Sequence, residues 1–132
     1  RFESKIGKKR PNSQMNAFPK IKTAIPQRRY RYGDYLVTVL GEIESGDARD
    51  YRFVTAFVKE GETQPQLYVV SERLPAGERA NGSHALRVIN SSMDEVMDVD
   101  NRWQQMSVYV DQALQLGSQL LGLEQEVPYQ LA

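Results

Sequence analysis

Cysteine is absent from the 132 residues, which removes disulfides, thiolate nucleophiles and thiolate metal sites together. That absence fits a reducing compartment, and the cytoplasm is the expected location. Histidine occurs once, as His84, so Ser-His-Asp and Cys-His arrangements reduce to what His84 could do alone as a base. It opens a strand-like run beside a loop, the setting of a solvated or capping histidine. Long apolar runs are missing as well: nothing approaches the ~18 consecutive apolar residues of a membrane span. The basic, proline-interrupted start lacks the apolar stretch of a secretory signal. Neither a G-x-G-x-x-G turn nor a P-loop occurs, so no segment is built to cradle a nucleotide phosphate. No cofactor and no metal site are expected, and no membrane partner.

What is present is ordinary globular material, 40% apolar and 26% charged residues, sufficient for one domain with a core. The net charge of zero conceals a strong asymmetry. Residues 1–31 carry ten Lys/Arg against Glu3, a net of +9, and residues 32–132 carry seven against sixteen acids, a net of −9. A basic arm joined to an acidic body points to charged partners. The arm holds Pro11, Pro19 and Pro26, which pin φ and remove backbone donors, so an extended or irregular course is expected. Phe18, Ile21 and Ile25 are its apolar anchor points.

From Asp34 the texture becomes that of strands. Residues 34–43, 51–59, 67–74 and 84–89 are rich in β-branched and aromatic side chains, and 93–99 supplies a fifth run. Turn chemistry separates them, including Asn81-Gly82-Ser83 and Asn90-Ser91-Ser92, which match glycosylation sequons but read equally as turns. The connections are too short for crossover helices, which makes the sheet antiparallel. The run Trp103–Leu121 contains no proline, and its apolar residues fall in one arc of roughly 160° at helical spacing. Asp100 or Asn101 is placed to cap its start, Asn101 with Gln104 at capping-box spacing, and Gly122 with Leu123 to end it. The sequence therefore predicts an α+β domain over 32–132. It has an antiparallel sheet of four to five strands covered by one long C-terminal helix, and it is preceded by a basic extended N-terminal arm over 1–31.

Two segments suggest what the chain contacts. Lys8, Lys9 and Arg10, and the run Arg28, Arg29, Tyr30, Arg31 and Tyr32, interleave cations with phenol rings. Cations neutralise phosphates or carboxylates and the rings stack on bases, which suits a protein partner, the acidic body itself, or nucleic acid. The helix has Asp111 as the one charge between Trp103 and Leu121, and interface cores are depleted of charge. Its wide apolar arc leaves a flank, Tyr109 and Leu116, as a candidate oligomer interface. Carboxylates are the only catalytic reagents in quantity. Asp94, Glu95, Asp98 and Asp100 precede the helix, and Glu42, Glu44, Asp47 and Asp50 surround the first turn. Such groups could serve a metal-assisted hydrolase, although acids before a helix also complement its positive end. The expected role is a non-enzymatic interaction or assembly module that binds protein or self-associates. The alternatives are nucleic-acid binding through the arm and hydrolysis at 94–100.

Overall fold

A computed structural model describes residues 18–132; Lys8, Lys9 and Arg10 lie outside the described residues. Among the described residues seven strands form one antiparallel sheet: β1 (Ile21–Tyr32), β2 (Tyr35–Ser45), β3 (Asp50–Lys59), β4 (Leu67–Arg73), β5 (His84–Asn90), β6 (Met93–Val99) and β7 (Tyr129–Leu131). Their order is β6-β5-β4-β3-β2-β1-β7, a meander that the C-terminal strand closes by returning to β1. Among the described residues one α-helix, α1 (Met106–Leu121), follows a 3-10 turn at Asn101–Gln104. The α+β class and the antiparallel pairing agree with the sequence, but the sheet is larger than the four to five strands expected from it.

The extra strands have separate causes. Residues 21–32, the last third of the expected arm together with Tyr32, pair along β2 from Ile21–Ser45 to Tyr32–Tyr35. The connection is a two-residue turn in which Gly33 takes φ 56°, the first-position glycine of a tight hairpin. Pro26 is tolerated because β7 pairs only with Arg29–Arg31, so the outer side of β1 at Pro26 is an edge where no ladder donor is needed. The strand is broken by register shifts on both sides of that region, which is how a proline-bearing segment stays in a sheet. β7 is three residues long and carries no alternating pattern to announce itself.

One face of the sheet is covered by α1. Tyr30, Tyr32, Tyr35, Val37, Val39, Phe53, Phe57, Leu67, Val69, Leu86 and Val88 meet Trp103, Tyr109, Val110, Ala113 and Leu114 in the main core. Gly117 lies over Phe57: a Cβ built on it would come within 2.2 Å of the Phe57 ring, so the helix backbone rests directly on that ring. The buried Tyr109 hydroxyl donates to the Val69 carbonyl and lies 2.7 Å from Thr55 Oγ1. A carbonyl cannot donate, so the Thr55 hydroxyl must donate to Tyr109. Burial holds the Tyr109 phenol well above its ordinary pKa. The helix begins at Met106 and not at Trp103, because Trp103 is fixed by other bonds. Its indole N–H donates to Asp98 and its carbonyl accepts from Ser71 Oγ, and Gln105 is extended. Gly122 ends α1 at φ 71°, and the Leu123 N–H returns to Ser118.

The opposite face holds a smaller cluster, Tyr51, Val54, Val70 and Ile89, with Phe18, Ile21, Leu40, Ile43 and Tyr68 packed on it. Phe18 and Tyr68 lie 5.6 Å apart, centroid to centroid. Phe18 and Ile21 thus anchor the chain as expected, while Ile25 is 50% exposed and does not. Asp47 ties the same segment down, accepting from the N–H groups of Lys20 and Arg49 and from the Tyr51 hydroxyl. Burial raises the Asp47 pKa, but these donors and the Arg49 charge outweigh it and hold the carboxyl below its ordinary value.

Candidate functional site

Seven Lys/Arg side chains occur in the acidic body, residues 32–132, and they divide sharply. Arg87 pairs with Glu72 and Asp94, both at 2.8 Å, and Arg49 joins the same two carboxylates at 3.9 and 3.2 Å. Burial weakens the Arg87 cation, but its bonds to Asp94 and Glu72 outweigh that and raise its pKa. Arg102 meets Asp98 and Asp100 at 3.6 and 3.9 Å. Lys59 stands at the far end of β3. The remaining three, Arg52, Arg73 and Arg79, have no carboxylate partner among the described residues, and they line one open pocket of about 590 Å³ with Ser83, His84, Asn101 and Gln104.

The fold brings these residues together in identifiable steps. Arg73 is the last residue of β4 and His84 the first of β5, and they stand directly opposite each other across the ladder. On the other side Asp50 stands opposite Arg73. Arg52 joins them because the β3–β4 register shifts between Tyr51 and Phe53, an irregularity that turns an extra side chain toward the pocket. Its guanidinium donates to the Gln104 carbonyl at 3.2 Å and lies 4.6 Å above the Phe53 ring. Arg79 belongs to the loop between β4 and β5 and donates to the Leu74 carbonyl at 2.8 Å. That loop is pinned to the 3-10 turn. The Ser83 N–H donates to Asn101 Oδ1, and the Asp100 N–H donates to the His84 carbonyl. Gly82 has φ 149°, and a Cβ there would lie 2.7 Å from the Asp100 Cα, so no other residue fits that approach.

His84 is nearly sealed, 5% exposed, with Nδ1 2.7 Å from Ser83 Oγ. Its pKa is held below the ordinary value, first by burial and then by the charges of Arg73, Arg52 and Arg79, against a smaller opposing effect of Asp50. The wall of the pocket is therefore a neutral imidazole among three guanidinium groups. Guanidinium forks match the geometry of phosphate and carboxylate oxygens, and three cations with no ion-paired carboxylate among the described residues leave a local positive potential in an acidic body. The arrangement suits binding an anion.

The residues singled out from sequence fall elsewhere. Arg28, Arg29 and Arg31 lie on β1 with Arg29 and Arg31 exposed, while Tyr30 and Tyr32 point into the core at 7% and 6% exposure. Cations and rings are thus separated by strand alternation, and the phenols have no face left for stacking on a base. Tyr109 is fully buried and bonded inside the chain, which leaves it no surface for a second subunit. Leu116 is half-buried beside it. Asp94, Asp98 and Asp100 are engaged by Arg87 and Arg49, by Trp103 and Arg102, and by the Arg102 N–H respectively. Among the described residues no three His, Asp or Glu side chains gather as a metal site, and no described helix is long and apolar enough to cross a membrane.

Sequence reasoning missed Arg52, Arg73 and Arg79. One signal was available: Arg73 and His84 flank a ten-residue loop between two strands, so a hairpin must set them face to face. The position of Arg52 depends on a bulge that leaves no mark in composition. No family model, curated protein or solved structure matches the chain.

Proposed function

We propose that the chain is a non-enzymatic interaction module that binds a protein partner through an anionic group held by Arg52, Arg73 and Arg79. One observation carries this reading. Each other arginine of the acidic body is neutralised by a carboxylate, and the three without such a partner among the described residues line one pocket together. Unpaired cations repel one another and gain nothing for the fold by being brought together, so their convergence is accounted for by a ligand. The helix flank and the β1 cations are less suited to the role, the first because Tyr109 is interior and the second because its rings are buried.

Thermal unfolding in millimolar phosphate, against chloride of matched ionic strength, tests the reading. A ligand at about a hundredfold excess over Kd stabilises by about 2.7 kcal/mol, several degrees in Tm for a chain of this size. A saturable rise in phosphate that Arg73→Gln abolishes is the expected result. An equal rise in both salts, or one that survives Arg73→Gln, would overturn it.

A further inference from the structure

A second hollow of about 260 Å³ adjoins the arginine pocket and shares three of its residues, Arg52, Arg73 and His84. Its other walls differ in sign. Glu42 and Asp50 stand there with Tyr51 and Ile43, and neither carboxylate forms a hydrogen bond or ion pair with a described residue. The two hollows therefore adjoin at Arg52, Arg73 and His84, the first adding Arg79 to that shared wall and the second adding two carboxylates. His84 lines both and is 5% exposed. Its Nδ1 is taken by Ser83, and its Nε2 has no hydrogen-bond partner among the described residues.

The second hollow exists because β2 leaves β3. The last β2–β3 pair is Leu40 with Val54, after which the β1–β2 register steps irregularly from Gly41 to Glu44. Glu42 sits at that step with φ 46°, the one non-glycine residue at positive φ among the described residues. Left-handed backbone costs a non-glycine residue about 1–2 kcal/mol, and such strain gathers where a side chain is held for use.

We propose that the two hollows form one site for a phosphomonoester that has an ammonium group beside it. The phosphate oxygens meet Arg52, Arg73 and Arg79, and the ammonium meets Asp50 and Glu42. A phosphomonoester carries close to two negative charges and three acceptor oxygens, a better match for three guanidinium groups than a single carboxylate. This assignment rests on the reading of the arginine pocket as an anion site. The chemistry has two sources, a phosphorylated side chain followed by lysine on a partner protein, or a free aminoalkyl phosphate.

Calorimetric titration of the chain with inorganic phosphate, with O-phosphoethanolamine and with a capped hexapeptide containing phosphoserine followed by lysine tests it. The ammonium should tighten binding about tenfold over phosphate, the worth of one charge-assisted hydrogen bond. Asp50→Asn and Glu42→Gln should each reduce that advantage while leaving phosphate affinity in place. Arg73→Gln should weaken all three ligands. A peptide tighter than phosphoethanolamine supports the protein source, and equal affinity supports the small molecule. Phosphate binding as tightly as both zwitterions, or an advantage untouched by Asp50→Asn and Glu42→Gln, would overturn the two-part site alone. No binding of any of the three would overturn the anion pocket as well.

Discussion

Tyr109 uses one hydroxyl for two bonds, donating to Val69 and accepting from Thr55, in the buried core. Tyr109→Phe keeps the ring and leaves a buried carbonyl and a buried hydroxyl short of a partner. It should destabilise the fold by about 1–3 kcal/mol, read as a lower urea midpoint with unchanged slope; an unchanged midpoint would show that the bonds contribute nothing. Arg73 behaves in the opposite way. It is exposed and unpaired among the described residues, so Arg73→Gln should move stability by no more than about 0.5 kcal/mol while removing phosphate binding. A helical wheel set Tyr109 at the edge of the apolar arc, where it read as a flank. The wheel gives an angle and not a depth. The backbone of α1 rests on Phe57 at Gly117, and the buried arc runs from Tyr109 through Gly117 to Ser118, so that Tyr109 lies inside it.

At the scale of elements, β2 to β6 and α1 were legible because each has a local mark of its own. Runs of β-branched and aromatic residues between turn residues mark the strands, 3.6-residue spacing marks the helix, and Gly122 stops it. β1 was hidden by Pro26 and charge, since Lys22 and three arginines read as part of a basic extended arm, whereas Gly33 turns Tyr30 and Tyr32 onto Val37 and Tyr35. Two glycines carry element-level predictions. Gly117→Ala gains up to about 1 kcal/mol of helix propensity but drives a methyl into the fully buried Phe57 ring. Overpacking of that kind costs about 1–3 kcal/mol, so a net fall in Tm is expected, and a rise would show that α1 shifts freely over the sheet. Gly82→Ala forces the β4–β5 loop off Asp100. Because Ser83 and Arg79 ride on that loop, it should weaken phosphate binding even though the residue touches no ligand; chemical shifts of Ser83 and His84 amides report the displacement.

Across the whole molecule, two ledgers of charge meet at one end of the sheet. The acidic body neutralises Arg49, Arg87 and Arg102 locally and leaves Arg52, Arg73 and Arg79 grouped around His84. Composition exposed the global asymmetry but not this local one, because it depends on which carboxylate each arginine reaches after folding. The pH dependence of stability follows from the same site. His84 is held below its ordinary pKa of about 6.5, so the unfolded chain takes up a proton there before the folded chain does. Stability is complete above about pH 6.5 and falls as pH drops toward the folded value, and His84→Gln should flatten that slope. The Asp47 contribution, also from a depressed pKa, is lost at more acidic pH, below the ordinary aspartate value of about 3.9.

His84 is the single histidine of the chain, so its imidazole Cε1–H signal is assigned without ambiguity. Its proton NMR titration with and without saturating phosphate tests the arginine pocket most directly. An anion among Arg52, Arg73 and Arg79 screens the charges that depress the imidazole pKa, so the midpoint should lie below about 6.5 in chloride and move upward in phosphate, with no upward movement in Arg73→Gln. A midpoint that phosphate leaves in place would contradict the account.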